Sequence, residues 1–334
     1  MNANDNIRSI AIPAVCGVAF VLVAVVGLSV WRGIDPPRQD ELKKSSHQSK
    51  TDENKKWDND TPKPKVIPVA YEAPSVSLAA ATEFLHSGAA PVQINMDPKI
   101  LDAKRAAALR GLVFKEEKEP FAGVQVSIQN QPRYGVGKSR PDGSYDMVVN
   151  GGGLLSVGFS FEHYLPVWRQ TAVPWQDYTW LPPVVMTKAD TKVTPVKTEE
   201  KGLQVVRASK VKDKDGERQT TLIFQSGTKA TMVLADGSTK PLAEIHVRAT
   251  EYTVGDKGPA RMPAPLPPSS GYTYCVELSA DEAVKAGAKS VKFDKPVYHY
   301  VENFLNFPVG IAVPTGYFDP AKGAWIASES KIPY

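Results

Sequence analysis

Short apolar runs separated by turn residues dominate the chain from residue 110 onward. Runs such as RGLVF (110–114) and AGVQVSI (122–128) alternate apolar and polar positions, which is the period of a half-buried strand. The turn signals are Asp142-Gly143, which follows a proline, and Asp236-Gly237. The pattern predicts a mainly β protein with two small β-sandwich-like domains, at residues 108–188 and 200–334.

The segment from Ile10 to Trp31 has a different pattern, because it carries no charged side chain. An uncharged run of this length predicts a transmembrane helix that anchors the protein as a single-pass membrane protein. A cleaved signal peptide is the alternative, with Gly27 and Ser29 near a cleavage site and Arg8 as its basic region. The basic residues after the segment favour a cytoplasmic C-terminal part, but long domains can cross regardless of such charges. We expect the β domains to lie outside the cytoplasm.

Polar sequence flanks this segment on both sides. Residues 1–9 form a short tail, and residues 32–98 are predicted to be a flexible, disordered linker because they contain few apolar residues to bury. Ser77–His86 predicts a short helix, and Pro98–Leu109 predicts a second one before the first β domain.

Composition and motifs argue against catalysis. The net charge of +4 is spread along the chain without a basic stripe, which argues against nucleic-acid binding. The five histidines are isolated and the two cysteines do not predict a bridge, so we expect no metal site and no disulfide. The stretch DKDGE (213–217) lacks the later ligands of a calcium loop, and NGGG (150–153) lacks the helix and lysine of a phosphate loop. We therefore predict no catalytic residue, no cofactor and no enzyme activity.

Three tryptophans, Trp168, Trp175 and Trp180, lie close together in the sequence. Aromatic side chains bury large areas in small β domains, so we predict packing within a domain or between domains. The alternative is a surface that binds sugars or membranes.

Two stretches resemble parts of a known family. The region from RGLVF to TAVPW (110–175) resembles the carboxypeptidase-regulatory-like (transthyretin-like) domain that precedes the barrel in teneurins and bacterial Rhs/YD-repeat proteins. The residues that carry this resemblance are Gly123-Val124, Arg140 to Gly143, Asn150 to Gly152 and Pro174-Trp175. The region from ATMVLADG to AWIASES (230–330) is similar to the part that joins this domain to the YD-repeat shell.

The resemblance implies a non-catalytic module with a fibronectin-like plug that caps a hollow YD-repeat shell. The implied partner is a YD-repeat shell or toxin-bearing protein encoded nearby. Because no YD repeat is present in this sequence, a truncated or split form is expected. The residues expected to face the shell are Phe304, Phe307, Tyr317 and Trp325. The alternative is a free-standing cell-surface binding or adhesion protein that uses its β domains.

Overall fold

The computed structural model describes residues 10–12, 15–16, 19–23, 77–115, 119–253, 258–266, 274–308, 315–320 and 322–327. These residues are mainly β and form several sheets, which confirms the mainly β part of the predicted fold class. Within them, helix is confined to α1 (Leu78–Ala81), α2 (Gly258–Arg261), α3 (Asp281–Lys285) and 3₁₀ turns at Glu83–Leu85, Pro98–Ile100 and Pro132–Tyr134.

The N-terminal apolar segment differs from its prediction. Its described residues form three short strands, β1 (Ile10–Ile12), β2 (Val15–Cys16) and β3 (Ala19–Val23), where a transmembrane helix was expected. Valine and isoleucine are frequent in this segment, and β-branched residues favour strands as soon as partner strands are available. The other residues of the segment lie outside those described. No helix found in the described ranges combines the length and the apolar character needed to cross a bilayer.

The linker was predicted to extend to residue 98, but its last part is ordered. α1 begins after Ser77, whose side chain accepts a hydrogen bond from the amide of Ala80, and β4 spans Gln93–Ile94. The buried Gln93 amide donates to the carbonyls of Tyr134 and Val148, and its Oε1 accepts from the Val148 amide at 2.7 Å. The Gln93 side chain therefore bonds the backbone of Val148 in β9 much as a neighbouring strand would. Hydropathy alone does not reveal this contact. Residues 32–76 lie outside the described part of the chain.

The first domain is a sandwich of two sheets. One sheet has the order β11-β10-β7-β8-β4, and in the other β5 pairs with β12 and β13 in parallel and with β6 and β9 antiparallel. The predicted helix over 98–109 is wrong, because this range holds only the 3₁₀ turn Pro98–Ile100 before β5 begins at Ala106. The strands are β5 (Ala106–Lys115), β6 (Glu119–Pro120), β7 (Gln125–Ile128), β8 (Val136–Lys138), β9 (Ser144–Asn150), β10 (Gly153–Ser160), β11 (Val167–Val173), β12 (Tyr178–Trp180) and β13 (Val184–Met186).

The core of this domain lies between the two sheets. Leu109 of β5, Met147 of β9 and Phe159 of β10 are almost completely buried there. Tyr145 lies across Gly111, where an added β-carbon would approach its hydroxyl to 2.6 Å. Glycine at this position therefore lets a tyrosine ring pack directly against the backbone of β5.

The described residues of the second β region form three sheets and one separate hairpin. The sheet orders are β14-β21-β22-β3-β25-β26, β1-β24-β18-β15 and β2-β23-β19-β20, and the hairpin is β16-β17. Its strands are β14 (Thr194–Lys197), β15 (Gln204–Arg207), β16 (Val211–Asp213), β17 (Gly216–Arg218), β18 (Thr221–Phe224), β19 (Ala230–Val233), β20 (Thr239–Leu242), β21 (Glu244–Glu251), β22 (Tyr274–Ala280), β23 (Ser290–Phe293), β24 (Val297–Tyr300), β25 (Thr315–Asp319) and β26 (Ala324–Ala327).

The N-terminal strands join these sheets at three places. Backbone pairing places β3 between β22 and β25, with Val21 opposite both Val276 and Tyr317. β1 pairs with β24, and β2 pairs with β23. The described N-terminal residues, which are distant in sequence from the other strands of this region, thus add one strand to each of the three sheets.

Candidate binding surface and interdomain seam

An aromatic cluster joins the sandwich domain to the second β region, and we call Trp168, Phe318 and Trp325 the seam. The ring centres of Trp168 and Phe318 are 5.2 Å apart, and those of Phe318 and Trp325 are 5.4 Å apart. The Trp168 amide donates to the Pro263 carbonyl at 2.6 Å, and Trp325 Nε1 donates to the Pro265 carbonyl at 3.0 Å. Phe318 is almost completely buried, and Trp168 and Trp325 are half-buried against it, so the seam joins the two parts of the fold through packed aromatic rings.

A buried arginine next to the seam strengthens the same contact. The Arg169 guanidinium donates at 2.8–3.1 Å to three backbone carbonyls, those of Trp168, Met262 and Ala260. Burial lowers the pKa of Arg169 to about 10, so the side chain stays charged at neutral pH. Gln170 adds a bond from its Nε2 to the Gly323 carbonyl at 2.9 Å. Strand β11 is therefore bound to two separate segments of the second β region.

The outer face of the sandwich carries an arginine–aromatic surface made of Arg110, Tyr178 and Trp180. The Arg110 guanidinium carbon lies 5.1 Å from the Tyr178 ring centre and 5.5 Å from that of Trp180. Arg110 Nε donates to Asp146 Oδ1 at 2.5 Å, and Arg140 Nη1 lies 2.7 Å from Oδ2 of the same carboxylate. Tyr178 and Trp180 are 44% and 67% exposed. The strand pairing of β12, β5 and β9 places Trp180, Arg110 and Asp146 in one row across the sheet.

A second arginine–tryptophan contact lies just before the first residue of β5. The Arg105 guanidinium carbon is 5.9 Å from the Trp175 ring centre, and Arg105 donates to the Gly151 carbonyl at 3.0 Å and 3.2 Å. Trp175 packs on Gly152, where a β-carbon would meet its Nε1 at 2.1 Å, and remains 57% exposed. This contact holds a connecting loop in place and leaves a large ring surface open.

A buried ion-pair cluster surrounds Arg218 in the second β region. Arg218 donates to both carboxylate oxygens of Asp213 at 2.8 Å and to Glu251 Oε1 at 2.7 Å. Its guanidinium carbon lies 4.3 Å from the centre of the Phe304 ring. Glu302 accepts a hydrogen bond from the Gln219 amide at 2.6 Å. The cluster therefore holds the segment after β24 against the β16–β17 hairpin.

Two further titratable side chains are buried in this region. Burial raises the pKa of the Glu277 carboxyl well above its ordinary value, and the Tyr252 hydroxyl donates to it at 3.5 Å. Burial lowers the pKa of His299 to about 4, and neither of its ring nitrogens has a hydrogen-bond partner among the described residues. Burial thus disfavours the charged form of both side chains, and His299 is neutral in the folded protein at pH 7.

The turn residues singled out from the sequence occupy similar hairpin turns. Asp142 accepts hydrogen bonds from the amide and hydroxyl of Ser144, and Gly143 has a φ of 78°. Asp236 makes the same two contacts with Ser238, and Gly237 has a φ of 87°. Each aspartate closes its own turn, and each glycine adopts a left-handed conformation.

The structure separates the three predicted tryptophans. Trp168 lies in the seam, as expected for packing between domains. Trp175 and Trp180 instead stay more than half exposed beside arginines. Alternation along β12 explains the exposure of Trp180, because Thr179 faces inward and its neighbours on both sides face outward.

The four side chains expected to face a shell are each half-buried within this chain. Phe304 packs on Arg218 and on Tyr274, and Trp325 belongs to the seam. Phe307 lies in a short loop in which its amide donates to Asn303 Oδ1, and Tyr317 is on β25 between β3 and β26. Contact of these residues with a shell stays a prediction.

The stretch DKDGE forms the β16–β17 hairpin. The Asp213 carboxylate binds Arg218 and also accepts from the Asp215 amide at 2.9 Å. Across the described ranges, no group of three or more histidine, cysteine or acidic side chains is arranged to hold a metal ion.

No sequence pattern singled out Arg110, Arg169 or Arg218 as functional residues. Arg110 offered a weak local signal, because it interrupts an apolar run at a strand position of alternating pattern. Arg169 and Arg218 offered no such local signal. Arg169 donates to Met262 and Arg218 donates to Glu251, and both acceptors are distant in the sequence.

The comparisons with known proteins agree with the sandwich domain. Residues 101–186 match the family model of the teneurin TTR-like domain. This part of the chain resembles that domain, as the sequence suggested. Mouse teneurin-3 is 31% identical over 88 residues, which cover 26% of this chain and 3% of the relative. Human teneurin-1 is 34% identical over 87 residues, with the same two shares. The chain thus spans about 3% of the length of the curated relatives that it matches.

Likeness to solved structures is weak. A type II cohesin–X-dockerin complex from Acetivibrio cellulolyticus is 17% identical, with a TM-score of 0.21, over 25% of this chain and 59% of that chain. A TM-score this low supports no argument about fold or function.

Proposed function

We propose that this protein is a non-catalytic structural module that caps a YD-repeat shell. The observation that carries the proposal is the match of residues 101–186 to the teneurin TTR-like domain. The seam supports it, because Trp168, Phe318 and Arg169 bind the TTR-like sandwich to the region that follows it in the chain. A cap must keep its two domains together while it closes an opening.

The surface of the cap would include β25 and the loop after β24. Phe304 and Trp325 are already engaged inside the protein, so Tyr317 and Phe307 are the aromatic residues we assign to shell contact. In this proposal the second β region acts as the fibronectin-like plug. The partner is a YD-repeat shell or toxin-bearing protein encoded nearby.

The test is co-expression of the tagged full chain with a YD-repeat protein encoded next to it. We expect co-purification and a single complex in size-exclusion chromatography. Tyr317→Asp should weaken the complex, whereas Leu203→Asp, at an exposed apolar residue before β15, should not. The proposal fails if the two proteins elute separately, or if both variants behave alike.

In this proposal the β domains lie outside the cytoplasm, and the resemblance to the teneurin TTR-like domain supports that location. Attachment to a membrane through residues 10–31 would require this segment to leave strands β1 to β3, so the tether and the completed sheets are alternative states of one stretch of chain. Carbonate extraction of membranes from expressing cells distinguishes them. Full-length protein in the pellet indicates the tether, and full-length protein in the supernatant indicates the completed sheets.

A second candidate function is adhesion or surface binding by the free-standing protein. The specific observation in its favour is the arginine–aromatic surface, which lies on the sandwich and is separate from the seam. Single exposed aromatic side chains are common, whereas two exposed rings beside one arginine offer a ligand both stacking and a charged partner.

A further inference from the structure

The arginine–aromatic surface is a rigid platform. Its rings lie on β12, whose residues Tyr178 to Trp180 pair with Ala108 to Arg110 of the central strand β5. Since the two rings are two residues apart on one strand, their attachment points are about 7 Å apart on the same side of the sheet. The guanidinium of Arg110 lies within 5.5 Å of both ring centres and so contacts both rings. A ligand would find this platform already formed.

The charge of the platform favours an anion. Arg110 and Arg140 share the single carboxylate of Asp146, which leaves one positive charge in excess among these three side chains. Asp177, the residue before Tyr178, uses its Oδ1 to accept a hydrogen bond from the Tyr178 amide at 2.7 Å. Both arginine side chains remain about one-third exposed or more, so an incoming anionic group can reach them.

The form of the platform argues against a peptide that adds as a strand. β12 is an edge strand, but it has only three residues and lies between Pro174 and Pro182 in the sequence. Short edge strands flanked by proline are poor templates for strand addition. A ligand is therefore expected to stack on the ring faces, away from the strand edge.

We propose that this surface binds an acidic saccharide. The C–H face of a pyranose ring stacks on Trp180 and Tyr178, because an aromatic face is electron-rich and attracts polarised C–H groups. The carboxylate of the sugar pairs with Arg110, with Arg140 as the second cation. The role does not depend on shell capping, since the platform lies on the sandwich and shares no residue with the seam.

The experiment measures binding of tetragalacturonate to the purified full chain, by isothermal titration calorimetry and tryptophan fluorescence at low salt. Maltotetraose is the neutral control, and a tetraglutamate peptide is the acidic control without sugar rings. The variants Trp180→Ala and Arg110→Gln are compared with Trp175→Ala, which removes an exposed tryptophan beside a different arginine. Trp180→Phe keeps an aromatic ring, and thermal unfolding verifies that every variant is folded.

We expect tetragalacturonate to bind, and Trp180→Ala and Arg110→Gln each to weaken it about tenfold or more, the scale of one stacking or charge-assisted contact. Trp175→Ala should bind like the wild type, and Trp180→Phe should lie between wild type and Trp180→Ala. The proposal is overturned if tetragalacturonate does not bind to the folded wild type. Equal binding of maltotetraose or tetraglutamate also overturns it, as does an equal loss in Trp175→Ala.

Discussion

The guanidinium carbon of Arg218 lies 4.3 Å from the centre of the Phe304 ring, although strands β18 to β24 separate the two residues in the sequence. Arg218 is almost completely buried and is neutralised by Asp213 and Glu251. The ring therefore covers a desolvated ion-pair cluster on one side. This contact determines where the segment after β24 runs, and so where the chain continues toward β25.

Replacing Arg218 with methionine should strongly destabilise the protein. It would leave Glu251 buried without its cation, and removing one partner of a buried ion pair costs about 3–5 kcal/mol. Chemical denaturation measures the loss, and hydrogen exchange should rise in residues 301–307. The control is Lys210→Met, whose bridge to Glu217 is exposed and should matter little. If both variants unfold at the same denaturant concentration, Arg218 does not hold this segment.

His299 should make the protein sensitive to mild acid. The unfolded imidazole titrates near 6.5 and the folded one near 4, so between these values only the unfolded state binds the proton. The free energy of unfolding should therefore fall as the pH drops from 6.5 to 4, by about 3 kcal/mol in total. In His299→Leu this part of the fall should vanish. His246 is the contrast: its hydrogen bond to Glu282 raises its pKa, so its contribution has the opposite sign. An unchanged pH profile in His299→Leu would contradict the prediction.

Glu277 should make the free energy of unfolding fall as the pH rises, which is opposite to the effect of His299. Burial raises its folded pKa above the unfolded value near 4.5, so between the two the folded state holds a proton that the unfolded state has released. Stability should decline as the pH rises through that window. Glu277→Gln keeps the shape of the side chain and should flatten the decline, which leaves the variant more stable than the wild type at pH 7. Denaturation curves from pH 5 to 8 test this, and a variant less stable than wild type throughout would refute it.

The contact between β11 and residues 258–266, next to the seam, should depend on Arg169. Arg169→Met would leave the buried carbonyls of Met262 and Ala260 without their donor, at a cost of about 1–3 kcal/mol for each unsatisfied group. Faster proteolysis around residues 258–266 should accompany the loss of stability. Arg133→Met removes an exposed arginine of the same domain that pairs with Asp97, and serves as the control. Equal resistance of residues 258–266 to proteolysis in both variants would show that Arg169 does not hold this segment.

Gly143 should tolerate no side chain, in contrast to Gly153. Its φ of 78° costs a residue with a β-carbon about 1–2 kcal/mol, and that carbon would lie 2.5 Å from the Val113 carbonyl oxygen. Gly143→Ala should therefore lower the melting temperature clearly. Gly153 has open space around its α-carbon, so Gly153→Ala should have little effect. Similar melting temperatures for the two variants would mean that the turn can change its conformation.

The local chemistry of the sequence determined the strands of the sandwich and its turns. Alternation in 110–128 and the pair Asp142-Gly143 act over three or four residues, so they predict strands and hairpins before any tertiary contact exists. The same was true of the short helix near Leu78, which its own Ser77 cap begins.

Only the tertiary structure decided which side chains are buried and which partners they meet. Trp168 and Trp180 look alike in sequence, yet one meets Phe318 and the other stays open, because exposure depends on which distant segment folds over each strand. The uncharged N-terminal run has an apolar surface that a bilayer or a sheet can bury, and β22 and β25 offered it backbone partners. Arg218 became a core residue because Asp213, Glu251 and Phe304 converge on it in space, and no local pattern encodes such a convergence.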